Sequence, residues 1–358
     1  MKTLIQKRLT ILNRNLSRLS GLARKRKGRA INGVILLDKP QGMTSNFALQ
    51  KVRRLLGAQK AGHTGSLDPL ATGVLPICLG EATKFSRYLL DANKAYFTTA
   101  KLGDIRTTSD SEGECVERRD VPSLSESDIL QILAEFKGPI DQVPTMYSAL
   151  KYQGKPLYEY ARQGITIDRP SRPISIFELE LNEQRVDELD LTVACSKGTY
   201  IRTLVDDIGQ AIGCGAHVSM LRRYQAGHFS LKQTLTMDEL ERLSPQIPIA
   251  DYPEDQAELD ALFAEIDKKI LPTDILIPEL PKISLKKQDA SSILQGQAVK
   301  IPASEILGIV ERQLVAIYVD RSDIQNGQIN ANDTEEVFLG VAEYQSDCSL
   351  QPKRLINI

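Results

Sequence analysis

The chain has 358 residues, 42% hydrophobic and 25% charged, the balance of an ordinary globular protein with room for two or three domains. No apolar run approaches the roughly 18 residues of a membrane-spanning helix. Five scattered cysteines (78, 115, 195, 214 and 348) and three scattered histidines offer neither a disulfide framework nor metal-ligand spacing, which fits a soluble protein in a reducing compartment.

Net charge is −1, but residues 1–29 hold ten Lys and Arg and no acid, so the remainder sums to −11. A local positive surface suffices to bind nucleic acid, and overall acidity does not exclude RNA. This N-terminal segment also spaces Ile5, Leu9, Leu12, Leu16 and Leu19 as one stripe of a basic helix and ends in the cluster Arg24 to Arg29. An RNA-touching arm, an organelle transit peptide and a flexible tail all fit that pattern.

Gly33 to Leu37 predicts a short buried strand, and Ser45 to Leu56 a helix with Ser45 as its N-cap. The stretch Gly62 to Pro76, GHTGSLDPLATGVLP, then packs an aspartate, a histidine, three glycines and two prolines into fifteen positions. Gly supplies conformations other residues avoid and Pro fixes φ, so this composition holds one backbone path. A carboxylate on a fixed loop is how a protein presents a nucleophile or base, which makes Asp68 the leading candidate. The plainer alternative is that Asp68-Pro69 only starts a turn.

Ala95 to Leu102 and Leu189 to Cys195 predict strands, the second alternating Leu189, Leu191, Val193 and Cys195. Beyond Lys197-Gly198 a helix carries Ile201, Leu204, Val205, Ile208 and Ile212 on one face and stops at Gly213. The irregular alternation of strands and helices argues α+β rather than a doubly wound sheet. Six prolines between 245 and 281 bracket an acidic helical stretch, Glu254 to Lys269, which predicts a linker with an inserted helix. From Ile283 onward, Leu314 to Val319, Phe338 to Val341 and Pro352 to Leu355 predict a small β-rich module.

Four blocks carry a resemblance. GVILLDKPQGMTSN (33–46), GHTGSLDPLATGVLPICLGEATKF (62–85), QVPTMYSALK (142–151) and KGTYIRTLVDDIG (197–209) follow one another as in the TruB family, the bacterial tRNA pseudouridine-55 synthases. The resemblance covers roughly residues 30–246, with a weaker echo at the C-terminus. It implies the α+β pseudouridine synthase fold, a mixed, mainly antiparallel sheet with a central cleft, followed by a PUA-like C-terminal domain. The chain then divides into a basic extension (1–29), a catalytic domain (30–246), a Pro-rich acidic linker (247–281) and the PUA-like domain (282–358).

The implied activity is isomerisation of uridine to pseudouridine in the T-loop of tRNA, with the T-stem-loop as partner. A bacterial, cytoplasmic monomer is expected, away from membranes. The N1–C1′ bond breaks and the base rejoins through C5; no electron is gained and no group added, so neither cofactor nor metal is required. By resemblance Asp68 acts as nucleophile at C1′ or as base at C2′, Arg202 keeps it ionised, and Asp110 holds Arg202. Tyr96 stacks on the flipped uracil, Tyr200 packs beneath it, Leu221 lines the pocket, and His63 fills the stack the nucleotide leaves. Lys39, Lys84, Arg222 and Arg223 fall in or beside matched segments, where they are either phosphate contacts or solvated surface charges; Lys84 is taken as substrate-binding. His217 and His228 have no partner pattern and read as structural. Competing functions are an RNA-binding or tRNA-folding factor with secondary catalysis, a guide-RNA-directed enzyme, and a glycoside hydrolase with a second acid near Asp68.

Overall fold

The computed structural model describes residues 28–302, 308–323 and 335–357; the basic arm through Lys27, with its apolar stripe, lies outside them. The first strands are β1 (Gly33–Lys39), β2 (Ala61–His63), β3 (Thr72–Leu79) and β4 (Lys94–Leu102), with helix α1 (Ser45–Leu55) between β1 and β2. A hairpin of β5 (Asp104–Arg106) and β6 (Cys115–Arg118), helix α2 (Glu126–Glu135) and β7 (Gly138–Gln142) follow. The short pair β8 (Lys151–Tyr152) and β9 (Lys155–Pro156) precedes the long strands β10 (Arg172–Gln184) and β11 (Glu188–Cys195). Helix α3 (Ile201–Ile212) leads into β12 (Ala216–Ala226), then β13 (Phe229–Ser230), β14 (Leu235–Thr236) and helix α4 (Met237–Leu243).

Apart from the pairs β5-β6 and β8-β9, these strands form one ten-stranded sheet in the order β14-β1-β3-β12-β4-β11-β10-β7, with β2 on β3 and β13 on β12. Pairing is antiparallel except at β1 with β14 and β3 with β12. The sheet is mixed and mainly antiparallel, and the fold is α+β. Apolar runs explain its centre. In β1, Ile35 and Leu37 face one core while Val34 and Leu36 face another, and β3 divides Leu75 and Ile77 from Val74 and Cys78 in the same way. A strand buried on both faces needs such unbroken hydrophobicity, because successive side chains point oppositely. Helix α3 covers the first core with all five expected apolar residues and ends at Gly213, where φ is +97°.

The segment 247–281 does not stand away from this sheet. Helix α5 (Gln256–Asp267) buries Phe263 and Ile266 in the main core, and Tyr252 and Ile270 join them. Arg29 packs its guanidinium 3.9 Å over the Phe263 ring and ion-pairs with Asp267, so the last residue of the expected extension is fixed to the catalytic domain. The C-terminal sheet runs β15-β17-β18-β19-β16, from β15 (Lys282–Leu285), β16 (Val299–Lys300), β17 (Leu314–Asp320), β18 (Glu336–Tyr344) and β19 (Ser349–Leu355), with helix α6 (Lys287–Leu294) against it. Ala316, Tyr318, Phe338 and Val341 meet Val34, Leu36, Cys78 and Phe85, so this unit closes the second core.

One close approach fixes how the loop ending in β3 meets β12. Gly73 pairs with Arg223, has φ of +107°, and a Cβ there would lie 2.1 Å from the Arg223 carbonyl oxygen. Only glycine fits. Gly73→Ala is expected to cost at least about 1–3 kcal/mol from the backbone conformation alone, read as a lowered denaturation midpoint.

Candidate active site

The loop from Thr64 to Ala71 is held by groups that earlier and later sequence send beneath it. Ser45 at the start of α1 donates through Oγ to the Leu67 carbonyl (2.8 Å) and accepts from the Leu67 N–H (2.7 Å). The helix is capped instead by Thr44, whose hydroxyl accepts from the Phe47 N–H, so Ser45 serves the loop and not the helix end. Lys39 is fully buried, and its ammonium donates to the carbonyls of Met43 (2.7 Å), Pro40 (2.9 Å) and Pro69 (3.5 Å). Gly42 N–H donates to Pro69 O, and Arg223 Nη1 reaches Ser66 O at 3.5 Å. Each residue flanking Asp68 therefore has its carbonyl or amide tied to a group from outside the loop. A carboxylate so mounted has little freedom to lose when it reacts.

Asp68 meets Arg202, the second residue of α3, with Oδ2 2.9 Å from Nε. The same guanidinium reaches Asp110 Oδ2 at 3.3 Å and donates to the carbonyls of Thr108 (3.2 Å) and Tyr147 (2.8 Å). Asp110 is 2% exposed and accepts from the Thr108 hydroxyl and the Glu112 N–H. The Asp68 side chain keeps 40% of its surface accessible, whereas that of Arg202 keeps 6%. The geometry is a buried cation and a buried anion with one carboxylate facing outward. Protein atoms crowd Asp68 despite that opening. Burial pushes its pKa above the usual aspartate value, Arg202 opposes this, nearby Asp110 adds to it, and Lys39 offsets part. Arg202 thus counters a cleft that disfavours the charge on Asp68.

The other residues expected at the site lie on the neighbouring elements. On β12, Leu221 and Arg223 share a face, opposite Thr98 and Tyr96 of β4. Tyr96 and Leu221 are buried there. Tyr200, the N-cap of α3, is positioned through its backbone: Gln142 accepts from its N–H (2.8 Å) and donates to its carbonyl (3.1 Å). His63 closes β2 and its Nδ1 is buried with no hydrogen-bond partner among the described residues. Burial first, then Arg223, lowers its pKa, so the ring is neutral at physiological pH and suits stacking better than proton delivery.

Four cations depart from expectation. Lys84 pairs with Glu81 (2.5 Å) and donates to Leu355 O of β19 (2.9 Å), so in this structure it ties the catalytic sheet to the C-terminal one. Lys39 is too buried for phosphate, and its pKa is lowered to about 8, chiefly by burial. Arg222 forks onto Asp38 at 2.7 and 3.1 Å, and Arg223 is buried. Sequence reasoning missed the positioning parts played by Ser45 and Gln142, and left Lys39 open between a phosphate contact and a solvated surface charge. Matched blocks flagged all three segments without showing that backbone clamping was their use. Among the described residues, no group of three His, Cys, Asp or Glu side chains is arranged to hold a metal.

The raised pKa of Asp68 carries a stability consequence. Above the unfolded aspartate value the unfolded chain releases this proton first, so stability from this group falls as pH rises through the folded value and stays lower above it. Arg202, Asp110, Lys39 and Glu112 are the charged groups acting on this carboxylate or its neighbour. Asp68→Asn is expected to melt at or above the wild-type temperature at pH 7, with the difference vanishing below pH 4. A lower melting temperature at neutral pH would contradict the assignment of burial as the dominant influence.

Family models place this architecture. The TruB family pseudouridylate synthase N-terminal domain matches residues 53–201, a tRNA pseudouridylate synthase B C-terminal domain matches 202–277, and a pseudouridine synthase II TruB C-terminal domain matches 281–356. Similar chains include the tRNA pseudouridine synthase B of Shewanella sp. (strain MR-4), 48% identical over 94% of this chain and 98% of that one. That of Actinobacillus pleuropneumoniae is also 48% identical, over 93% and 99%. Among solved structures, a Cbf5-Nop10-Gar1 complex contains a chain with TM-score 0.60 and 27% identity, covering 88% of this chain and 79% of that one. An H/ACA RNP bound to a substrate RNA containing 2′-deoxyuridine gives TM-score 0.62 and 25% identity, over 91% and 85%. The chain belongs to the TruB family of pseudouridine synthases.

Proposed function

We propose that this chain converts uridine 55 in the T-loop of tRNA to pseudouridine, as a monomer in the bacterial cytoplasm. The observation that carries the reading is the Asp68–Arg202 pair, 2.9 Å apart, on a loop whose flanking backbone is clamped from three sides. The target base is stacked in structured RNA and must leave it to be reached. His63 at the end of β2 then occupies the vacated stack, and Tyr96, Tyr200 and Leu221 enclose the uracil. Stacking on such faces contributes about 1–3 kcal/mol per base, part of the cost of extrusion.

With the base seated, the outward oxygen of Asp68 acts at C1′ as nucleophile or at C2′ as base, and the N1–C1′ bond breaks. Arg202 keeps the carboxylate ionised until that step and accepts its charge again when C5 bonds to C1′. The detached uracil stays between its aromatic neighbours and the sheet while it turns. Asp110 is committed to Arg202 and Thr108, which argues against a two-carboxylate hydrolase using it as second acid. The high identity to enzymes named for tRNA, over nearly their whole length, favours an unguided tRNA enzyme over a guide-RNA-directed one.

A tRNA transcript tritiated at uracil C5 tests this directly. Wild type is expected to release tritium from one uridine per tRNA. Asp68→Asn should release none while still binding, and a transcript with cytidine at position 55 should be inert. Release from the position-55 variant would move the site; turnover by Asp68→Asn would remove the carboxylate from the chemistry and favour an RNA-binding protein with incidental catalysis.

A further inference from the structure

Arg223 is the least explained charge in the cleft. It is 2% exposed, and its Nε donates to Val74 O at 2.8 Å while Nη1 reaches Ser66 O. Its Nη2 is buried with no acceptor among the described residues. Arg202 and Arg222 each grip a carboxylate; Arg223 touches only carbonyls. A buried guanidinium with an idle donor and no anion is costly to keep. That cost has a use if negative charge arises beside it during the reaction.

The residue directly across the strand pair is Tyr96, so the two side chains share a face. The Tyr96 hydroxyl is near enough for Arg223 to pull its pKa down against the larger, raising effect of burial, though without the geometry of a full hydrogen bond at rest. Asp68 also acts on this hydroxyl. A hydroxyl that shares a strand face with a buried cation and feels the charge of Asp68 has the electrostatic setting of a proton relay.

We propose that Arg223 is a positioning residue for the final proton transfer, fixing the Tyr96 oxygen and offsetting the negative charge that builds on it as its own proton moves toward Asp68 and before the proton from C5 arrives. The inference rests on the role assigned above to Asp68. After the C1′–C5 bond forms, C5 carries both ribose and hydrogen. The C5–H bond breaks and its electron pair becomes the C5–C6 double bond. The pair between C6 and N1 moves to N1, which takes a proton from water. The proton from C5 goes to the Tyr96 oxygen as the hydroxyl's own proton passes to the Asp68 carboxylate, free again at this stage, and on to solvent. One proton leaves C5 and one arrives at N1, as an isomerisation requires.

Single-turnover formation of pseudouridine, with tRNA carrying protium or deuterium at uracil C5, tests the proposal in Arg223→Lys, Tyr96→Phe and the double variant. Arg223→Lys is expected to slow the reaction about 10- to 100-fold, to reveal a C5 isotope effect, and to leave tRNA affinity within twofold of wild type. In the Tyr96→Phe background the same change should add little, because the oxygen it serves is gone. A residue that only braces the Ser66 and Val74 backbone would slow both backgrounds equally and show no isotope effect, and that result overturns the proposal. Should Arg223→Lys fail to fold, Tyr96→Phe alone decides: a C5 isotope effect supports the relay and its absence rejects it. Failure here leaves wild-type tritium release intact, whereas failure of the functional reading abolishes it.

Discussion

Arg202 sits between two carboxylates with only 6% of its side chain exposed, so protein groups rather than water answer its charge. Asp110 is more buried still, and the guanidinium is its ion-pair partner. Removing one partner of a buried pair typically costs about 3–5 kcal/mol, because the other charge is stranded. The third member is different. Asp68 keeps an open side, and burial pushes its pKa up while Arg202 opposes that push. Asp110 holds the cation in place whether or not Asp68 is engaged with it. A guanidinium suits this task because its planar fork reaches two acids and two carbonyls at once, which an ammonium cannot do.

Such a charge cluster is useful only on a backbone that does not move. The clamps on residues 66–69 come from the end of β1, from the start of α1 and from β12, the last of these through Arg223, 157 residues further along the chain than Ser66. Lys39 shows the cost accepted for this rigidity. Its ammonium is withdrawn from water and its pKa lowered to about 8, yet three carbonyls that a loop would otherwise leave to solvent gain a charged donor. Gln142 does the equivalent service for Tyr200 on the opposite side of the cleft, using both ends of one amide.

The sequence foretold those elements that depend on local pattern. The alternation in residues 189–195 and the apolar face ending at Gly213 are properties of neighbouring residues, and the strand and helix formed there as expected. Asp68 stood out because Gly and Pro punctuate its loop. Charged residues were harder to read. Lys39, Lys84, Arg222 and Arg223 resemble phosphate contacts in a list of letters, and each is turned inward or paired in the fold. Nothing local distinguishes a cation that faces RNA from one that caps carbonyls, since that depends on which strand lies next to it. Ser45 and Thr44 make the same point on a smaller scale: both can cap a helix, and only the nearby Leu67 backbone decides which does.

Strand register therefore has chemical consequences in β12. Successive residues point to opposite faces, so Arg223 enters the cleft beside Tyr96 while Arg222 turns outward to Asp38 and Tyr224 stacks on Phe97 at 4.3 Å. A slip by one position would turn Arg222 to the face that Leu221 and Arg223 share and send those two to the other. Irregularities between Val218 and Met220 and between Arg223 and Gln225 bound the stretch that must stay in phase, and Gly73 presses against the Arg223 backbone between them. Bulges re-aim side chains at such places, and here they confine one regular run of β12 to the residues that face the base. The glycine that looks like part of the catalytic loop's punctuation is thus also what holds the opposite wall of the site in register.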